Sequence, residues 1–587
     1  MKFALETSKP ESVYRLFCEQ LFNIPVYQRP YEWEIDKCEK LWDDIYSYFD
    51  TPDEVGYFLG ILVLIKQSHN QFDVVDGQQR LISLLLLLRA LYQRAGENVK
   101  VRQCLYVLDD AAEQISGFRL TSEVHGNEEQ KPLQHWLSAD TSIREANEKS
   151  NNTYERNLSF FRQKADTIPA ERVGAFIRTL LDTVYLLPVF CEDIDKALTI
   201  FETINNRGQD LTDADIFKAL LYEQAKKDNT EKDFIDQWNE LGRGLENWKE
   251  TKNDPRTFLF RCYMHILRGS RVVEVTENHA TIDKGDTTKT VGMRSFFIDG
   301  RVYKKEEVKE YKLTSHNWGH TLDALGQIKQ AWIILNTTND DAFQNWKCVL
   351  KSFKNDVWIH PLVTFIYVKI RDGLNIDEEH GAQPDKTFIR ECCQFMKNII
   401  RFLYSKGFDS TLEMRAVQDE MFRATVCAAK GRPYQPNIRL HDAFKEKLRG
   451  TIKSPDFRKG FCALLEMLTQ LHRVKNGDLL NVKYVFQKVS VEHILPQHWE
   501  DNYYDTWDKG KVDEVMNTLG NLCPLENVLN IKGSHNFFSK KRSTYCNSEF
   551  MTARELTEAE WTVDTYQKRH DRVTKSIWEF LSYGCED

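Results

Sequence analysis

The sequence predicts an α+β protein of several domains, and three observations carry that reading. Short apolar runs of strand length alternate with helical stretches over residues 1–227. Residues 228–476 change to long helical patterns rich in Trp, Phe and Leu. Residues 477–587 change again, to His, Asn, Gly and Lys at tight spacing. A chain of 587 residues has room for about three or four domains at ~150 residues each. The expected organisation is an α/β region, a helical middle and a small C-terminal module.

In the first region, Phe58–Ile65 (FLGILVLI) and Phe72–Val75 read as adjacent strands across the polar turn 66–71, and Leu81–Tyr92 reads as a buried helix. These runs fall far short of the roughly 20 apolar residues of a membrane helix. The opening MKFALETSKPES has no sustained apolar segment of the secretory kind, so the expectation is a cytoplasmic protein without a membrane partner. Thirteen scattered cysteines with no CxxC pair fit a reducing compartment and buried thiols, Cys392 and Cys393 among them. A net charge of −9 argues against a coating protein for nucleic acid. It does not argue against an enzyme that concentrates positive charge at one site. No repeat of solenoid period is present.

The middle region offers helices such as Phe395–Tyr404 and Phe461–Leu471, broken by the polar stretches Glu274–Lys289 and Asp372–Lys386, which read as surface loops. It carries no catalytic set. Its aromatic residues are expected in the core first, with stacking on DNA bases as the alternative, and its expected role is to couple the two ends of the chain.

Three polar turns single out the first region. Phe72–Arg80 reads FDVVDGQQR, a strand entering a helix through Asp76 and Gly77. A glycine there lets backbone amides approach a ligand, and the helix N-terminus that follows attracts phosphate. Arg80 adds a planar fork for phosphate, and Asp76 could hold a metal or orient water. A turn with a capping Asp explains the same residues without a ligand. Asn23–Trp33 (NIPVYQRPYEW) sets Gln28 and Arg29 between two prolines, and Glu202–Asp210 (ETINNRGQD) forms a polar turn before a helix capped by Thr212. No GxxxxGK[ST] loop is present, so a nucleotide site here has another design.

Together YQRPYEW, VVDGQQR and FETINNRGQDLTDADI resemble the DUF262 family, related to the ParB/sulfiredoxin fold and found in GmrSD-type modification-dependent restriction systems. The resemblance covers about residues 10–225. It implies that Asp76, Gly77, Gln78, Gln79 and Arg80 bind and hydrolyse GTP or ATP, with Gln28 and Arg29 beside them.

The C-terminal module carries a second set. Ser490–Gln497 (SVEHILPQ) places Glu492 beside His493; Leu519–Leu522 (LGNL) follows, then Asn530, then Ser534–Phe537 (SHNF) and the basic run Lys540, Lys541, Arg542. Phosphodiester hydrolysis needs an activated water and a cation on the phosphate. A neutral imidazole can take a proton from water near pH 7. A carboxylate and an amide oxygen suit Mg²⁺ or another divalent cation, and the basic run suits DNA phosphates. Each residue alone also reads as an ordinary strand end, turn or helix end. The ordered set is similar to the HNH, or ββα-metal, nucleases, and specifically to the DUF1524 subfamily over about residues 481–550. That resemblance implies His493 as general base, Glu492 and Asn530 as metal ligands, and Asn521 as a brace for the loop of His493. His535 and Asn536 are alternatives to Asn530, since this chain has Ser-His-Asn-Phe where the subfamily often has Ser-Asn-x-x-Phe.

The expected function is an NTP-regulated, metal-dependent endonuclease of the type IV restriction kind, acting on modified double-stranded phage DNA. A homodimer would supply two nicking sites. The alternatives are a sensor of modified DNA with an inert nuclease module, and a phosphorothioate-sensing NTPase-nickase.

Overall fold

Strand-length apolar runs and amphipathic helices of the first region resolve into one mixed sheet with helices packed on it. The computed structural model describes residues 9–52, 55–68, 70–96, 98–109, 114–124, 132–194, 196–197, 200, 212–245, 248, 254–271, 292–303, 306–353, 356–374, 384–406, 408, 414–438, 440–475, 489–497, 507–534, 536 and 538–583. The turn 202–210 and the stretch Glu274–Lys289 lie outside them, as does most of Asp372–Lys386. The chain packs into two units, residues 1–240 and 241–587.

In the first unit the order is β1 (Glu11–Ser12), α1 (Val13–Glu19), β2 (Leu21–Ile24), α2 (Ile35–Asp50), β3 (Tyr57–Lys66), β4 (Gln71–Asp76) and α3 (Gln78–Ala95). Then come α4 (Val99–Leu105), β5 (Tyr106–Leu108), β6 (Ile115–Phe118), β7 (Leu120–Ser122), α5 (Pro132–Leu137), α6 (Thr153–Asp166), α7 (Ala170–Thr183), β8 (Val184–Cys191) and α8 (Asp213–Lys227). The six-stranded sheet runs β1-β8-β3-β4-β2-β7, while β5 and β6 form a small ribbon. The expected strands β3 and β4 pair antiparallel, and β3 lies parallel to β8. Helix α3 is apolar on every side (Leu81, Leu84–Leu88, Leu91 are all fully buried), which fits a central core helix rather than a surface one. Thr212 caps α8 in a reciprocal box with Asp215.

Up to residue 475 the second unit is mainly helical, with one small antiparallel ribbon of Arg301–Tyr303 and Glu306–Glu307 and long helices that include Pro255–Arg271, Ile359–Arg371, Lys386–Ser405 and Pro455–Lys475. Cys392 and Cys393 are buried and unpaired on Lys386–Ser405. The strands Val489–His493 and Leu522–Glu526 then pair antiparallel, and the second runs directly into helix Asn527–Gly533. Helices Phe538–Cys546 and Val563–Ser582 close the module around a small core of Ile494, Leu495, Cys523, Leu525 and Trp561. Glu466, fully buried on Pro455–Lys475, accepts from Met551 and Thr552 N–H, both at 2.8 Å, at the start of helix Met551–Arg554. A carboxylate there satisfies the helix's free amides and complements its dipole. Among the described residues no helix is long and apolar enough to cross a membrane.

Candidate functional site

In the first unit the strand β4 stops at Asp76 because Gly77 turns the chain, with φ +93° in the left-handed region. A Cβ at Gly77 would also stand 2.4 Å from Leu62 Cδ2, so only glycine fits this entry to α3. The glutamines around it are engaged internally. Gln79 donates from Nε2 to Pro30 O (2.9 Å) and accepts at Oε1 from Glu32 N (2.9 Å) and Trp33 N (3.1 Å). Gln28 Nε2 donates to Val75 O at 3.0 Å, and Gln78 Nε2 to Arg29 O at 3.1 Å. These bonds join the 25–33 loop to the turn, so the two motifs expected near one another do meet. The amides of Gln28 and Gln79 are buried and act as staples within the protein. Gln78 differs, since its buried Oε1 has no hydrogen-bond partner among the described residues.

The half-exposed groups at this turn are Arg29, Asp76, Gly77 and Arg80. Arg80 Nη1 donates to Ile61 O at 3.0 Å, and its guanidinium fills the space left by Gly60, where a Cβ would be 3.1 Å away. Burial pushes the Asp76 carboxyl above its ordinary value, opposed by Arg80 and then Arg29; burial also lowers the Arg80 guanidinium. A carboxylate and a guanidinium are thus held in low dielectric beside the first turn of an 18-residue helix.

In the second unit Glu492 and His493 end the first strand of the pair. Glu492 Oε1 accepts from Lys541 Nζ at 2.8 Å and from Tyr545 OH at 2.6 Å. Lys541 also donates to His493 O at 3.0 Å, and its side chain is 1% exposed. This corrects the reading of the basic run as three phosphate contacts: Lys541 is inside, paired with Glu492, while Lys540 and Arg542 remain exposed.

His493 is half-buried, its Nε2 lying 3.1 Å from Asn517 Oδ1, and burial lowers its pKa against the raising effect of that bond. Asn521 is fully buried: Oδ1 accepts from Leu495 N at 2.7 Å, and Nδ2 donates to Met516 O (3.0 Å) and Leu495 O (3.2 Å). It clasps the residues just after His493. Arg569 braces this turn in its own right, donating to the carbonyls of Leu519 (3.0 Å), Gly520 (2.6 Å) and Leu522 (2.9 Å). Asn530, on the helix after the second strand, donates from Nδ2 to Ser490 Oγ at 2.6 Å. Ser490 and Glu492 share one face of their strand, so Asn530 stands on the Glu492 side of the pair. His535 lies outside the described residues, and Asn536 Nδ2 turns to Gly533 O at 2.9 Å, within its own loop.

Two family models match the chain: the GmrSD restriction endonuclease N-terminal domain over residues 13–222, and the C-terminal domain of the same endonucleases over residues 439–576. Together they span more than half of it.

The chain belongs to the GmrSD restriction endonuclease family.

No curated protein matches it. As a type IV restriction endonuclease of that family it acts on DNA. The C-terminal match begins at residue 439, ahead of the strand pair, and so takes in helix Pro455–Lys475. Sequence reasoning on this GmrSD chain missed Asn517, Tyr545 and Arg458, which surround Glu492 and His493. Tyr545 had a signal, because it falls four residues after Lys541 on one helix face. Arg458 had none, being remote in sequence on a helix of the middle region.

Proposed function

We propose that this GmrSD chain is a divalent-metal-dependent HNH endonuclease that cuts modified phage DNA under control of a nucleoside triphosphate. The observation that carries the reading is local. An acid–His pair ends a strand, its antiparallel partner runs straight into a helix, and Asn530 on that helix bonds back beside the acid. This strand–strand–helix order supports reading the module as a ββα-metal site.

The donor set fits Mg²⁺. Glu492 Oε2 and Asn530 Oδ1 form no hydrogen bond with any described residue, and Mg²⁺ takes few protein ligands, keeping waters and substrate phosphate. When bound, the ion would polarise the scissile phosphate and stabilise the leaving oxygen. Lys541 keeps Glu492 oriented by a charge-assisted bond. His493 serves as general base, taking a proton from water at a half-exposed ring. Lys540 and Arg542 contact flanking phosphates.

At the other end, Asp76, Gly77, Gln78, Arg80 and Arg29 hold GTP or ATP, on a sheet we read as ParB/sulfiredoxin-like. Backbone amides of α3 face the phosphates, Arg80 neutralises them, and the orphan Oε1 of Gln78 accepts from a donor of the nucleotide. A homodimer would bring two nicking modules to opposite strands.

The test uses the purified chain with Mg²⁺, with and without GTP or ATP, on unmodified DNA and on cytosine-modified phage DNA. Cleavage confined to modified DNA, lost in His493→Ala with NTP turnover retained, is the expected result. Equal loss of both activities in His493→Ala would reject two separate sites. NTP hydrolysis without cleavage of either DNA would favour a sensor of modified DNA.

A further inference from the structure

We propose that Arg458 and Asn517 are positioning residues for His493: together they hold the imidazole with its proton on Nε2 and leave Nδ1 as the atom that accepts a proton from water. The inference rests on the reading of His493 as general base. Its geometry is that of a relay across the second unit. Arg458, in the first turn of helix Pro455–Lys475, donates from Nη1 to Asn517 Oδ1 at 2.7 Å. The same Oδ1 lies 3.1 Å from His493 Nε2.

Which end of an asparagine amide faces a neighbour is ordinarily assigned from its partners. Here the partner decides it, because a guanidinium carries donors only. The atom facing Arg458 is therefore the oxygen. An amide oxygen only accepts, so the ring nitrogen beside it must donate. In a neutral imidazole one nitrogen carries the proton, so a protonated Nε2 leaves the lone pair on Nδ1.

Gln497 Nε2 stands 3.4 Å from the same ring nitrogen, a longer contact from an exposed side chain with no cation to lock it. With its amide turned over, its oxygen becomes a second acceptor for the same N–H. Among the described residues Nδ1 has no hydrogen-bond partner.

Asn517 is itself fixed. Its carbonyl accepts from Ile452 N at 2.8 Å, and Arg458 Nη1 also reaches Ile452 O at 3.4 Å. The ring is thereby oriented from the segment that precedes the strand pair. In the reaction, as the water oxygen bonds to phosphorus its proton passes to Nδ1, the phosphorus–oxygen ester bond breaks, and the departing oxygen takes a proton from solvent. A ring with the opposite tautomer would present N–H at Nδ1 and could not take that proton.

The experiment labels the full chain with ¹⁵N-histidine and reads the two ring nitrogens of His493 at pH 8, assigned by their loss in His493→Gln. Single-turnover DNA cleavage and DNA affinity are measured in parallel. The wild type should show the Nε2-protonated pattern. Asn517→Leu and Arg458→Gln should shift it toward a tautomer mixture. Cleavage should fall roughly 10–100-fold with DNA affinity within about twofold, since only the reacting ring is disturbed. Arg458→Lys, which still donates to Oδ1, should restore both readouts. An Nδ1-protonated wild type, or an unchanged pattern in both variants, overturns the proposal. If Asn517→Leu fails to fold, the half-exposed Arg458→Gln decides by the same spectrum. If the pattern shifts as expected but no variant, wild type included, cuts DNA, the relay stands and the general-base reading falls.

Discussion

Replacing Lys541 with methionine tests whether the module is held by an internal ion pair. The Lys541 and Glu492 side chains are 1% and 5% exposed, joined at 2.8 Å, with Lys541 also on His493 O and Tyr545 also on Glu492. The substitution preserves the aliphatic stem and removes the cation, leaving a buried carboxylate with one hydroxyl partner. Breaking a buried pair from one side costs about 3–5 kcal/mol. The unit of residues 241–587 has an unfolding entropy near 0.7 kcal/mol per kelvin at about 2.1 cal/mol/K per residue. The loss therefore corresponds to a drop of roughly 4–7 °C in its calorimetric transition. Glu492→Gln combined with Lys541→Met removes both charges and should recover most of that drop, because neutral replacement of both partners is often close to neutral. Exposed Lys540→Ala and Arg542→Ala should stay within about 0.5 kcal/mol of the parent. A Lys541→Met protein as stable as Lys540→Ala, with a DNA affinity less dependent on salt by about one phosphate contact, would refute the internal role.

Gly77→Ala should destabilise the first unit and abolish nucleotide binding, since the new Cβ meets Leu62 at 2.4 Å in a left-handed backbone; thermal unfolding and nucleotide titration read both. Gln79→Leu should lower stability by about 1–3 kcal/mol through three orphaned backbone groups, whereas Arg80→Gln should weaken nucleotide binding more than it lowers the melting temperature. His265 and His360 stack at 4.3 Å, both half-buried, near Arg261 and Arg268. Burial holds His360 down at about 4, from 6.5, and His265 also well below its ordinary value. The unfolded chain then binds more protons in acid, so stability is complete above pH ~6.5 and falls as pH drops toward 4, by about 3 kcal/mol for His360 alone. His360→Phe should flatten the pH dependence of the melting temperature between those limits; an unchanged slope would exclude the pair as its source.

Much of the fold was legible because it rests on local pattern. The apolar runs Phe58–Ile65 and Phe72–Val75 returned as β3 and β4, and Thr212 capped its helix as its sequence position implies. The turn chemistry at Asp76–Gly77 was legible for the same reason, since a strand, a glycine and a helix in that order leave few backbone solutions. The roles of the three glutamines were not. Gln78 and Gln79 are adjacent and identical in type, yet one carries three bonds to residues 30–33 and the other keeps an orphan oxygen. That difference is made by a loop almost fifty residues away.

Lys541 is the more instructive case, because a signal was present in the sequence. Phe538, Lys541 and Tyr545 recur at intervals of three and four, which is one face of a helix, and all three are buried. Lys540 and Arg542 fall off that face. A cluster of three basic residues therefore divides by periodicity into one internal cation and two external ones before any contact is known.

Arg458 lacked even that cue. Its meaning depends on Asn517, whose meaning depends on His493, and the three come from a helix, a turn and a strand spread over the stretch from 458 to 517. The texture of the sequence changes near residue 477, where the candidate C-terminal site residues begin, but the packing does not divide there. Glu466 caps a helix at Met551, Ile452 holds Asn517, and Arg458 orients the amide beside the His493 imidazole, all from before that change. Composition marks where reactive residue types are concentrated. The groups that orient them belong to whatever surface the module was built against, and in this chain that surface is the last long helix of the middle region.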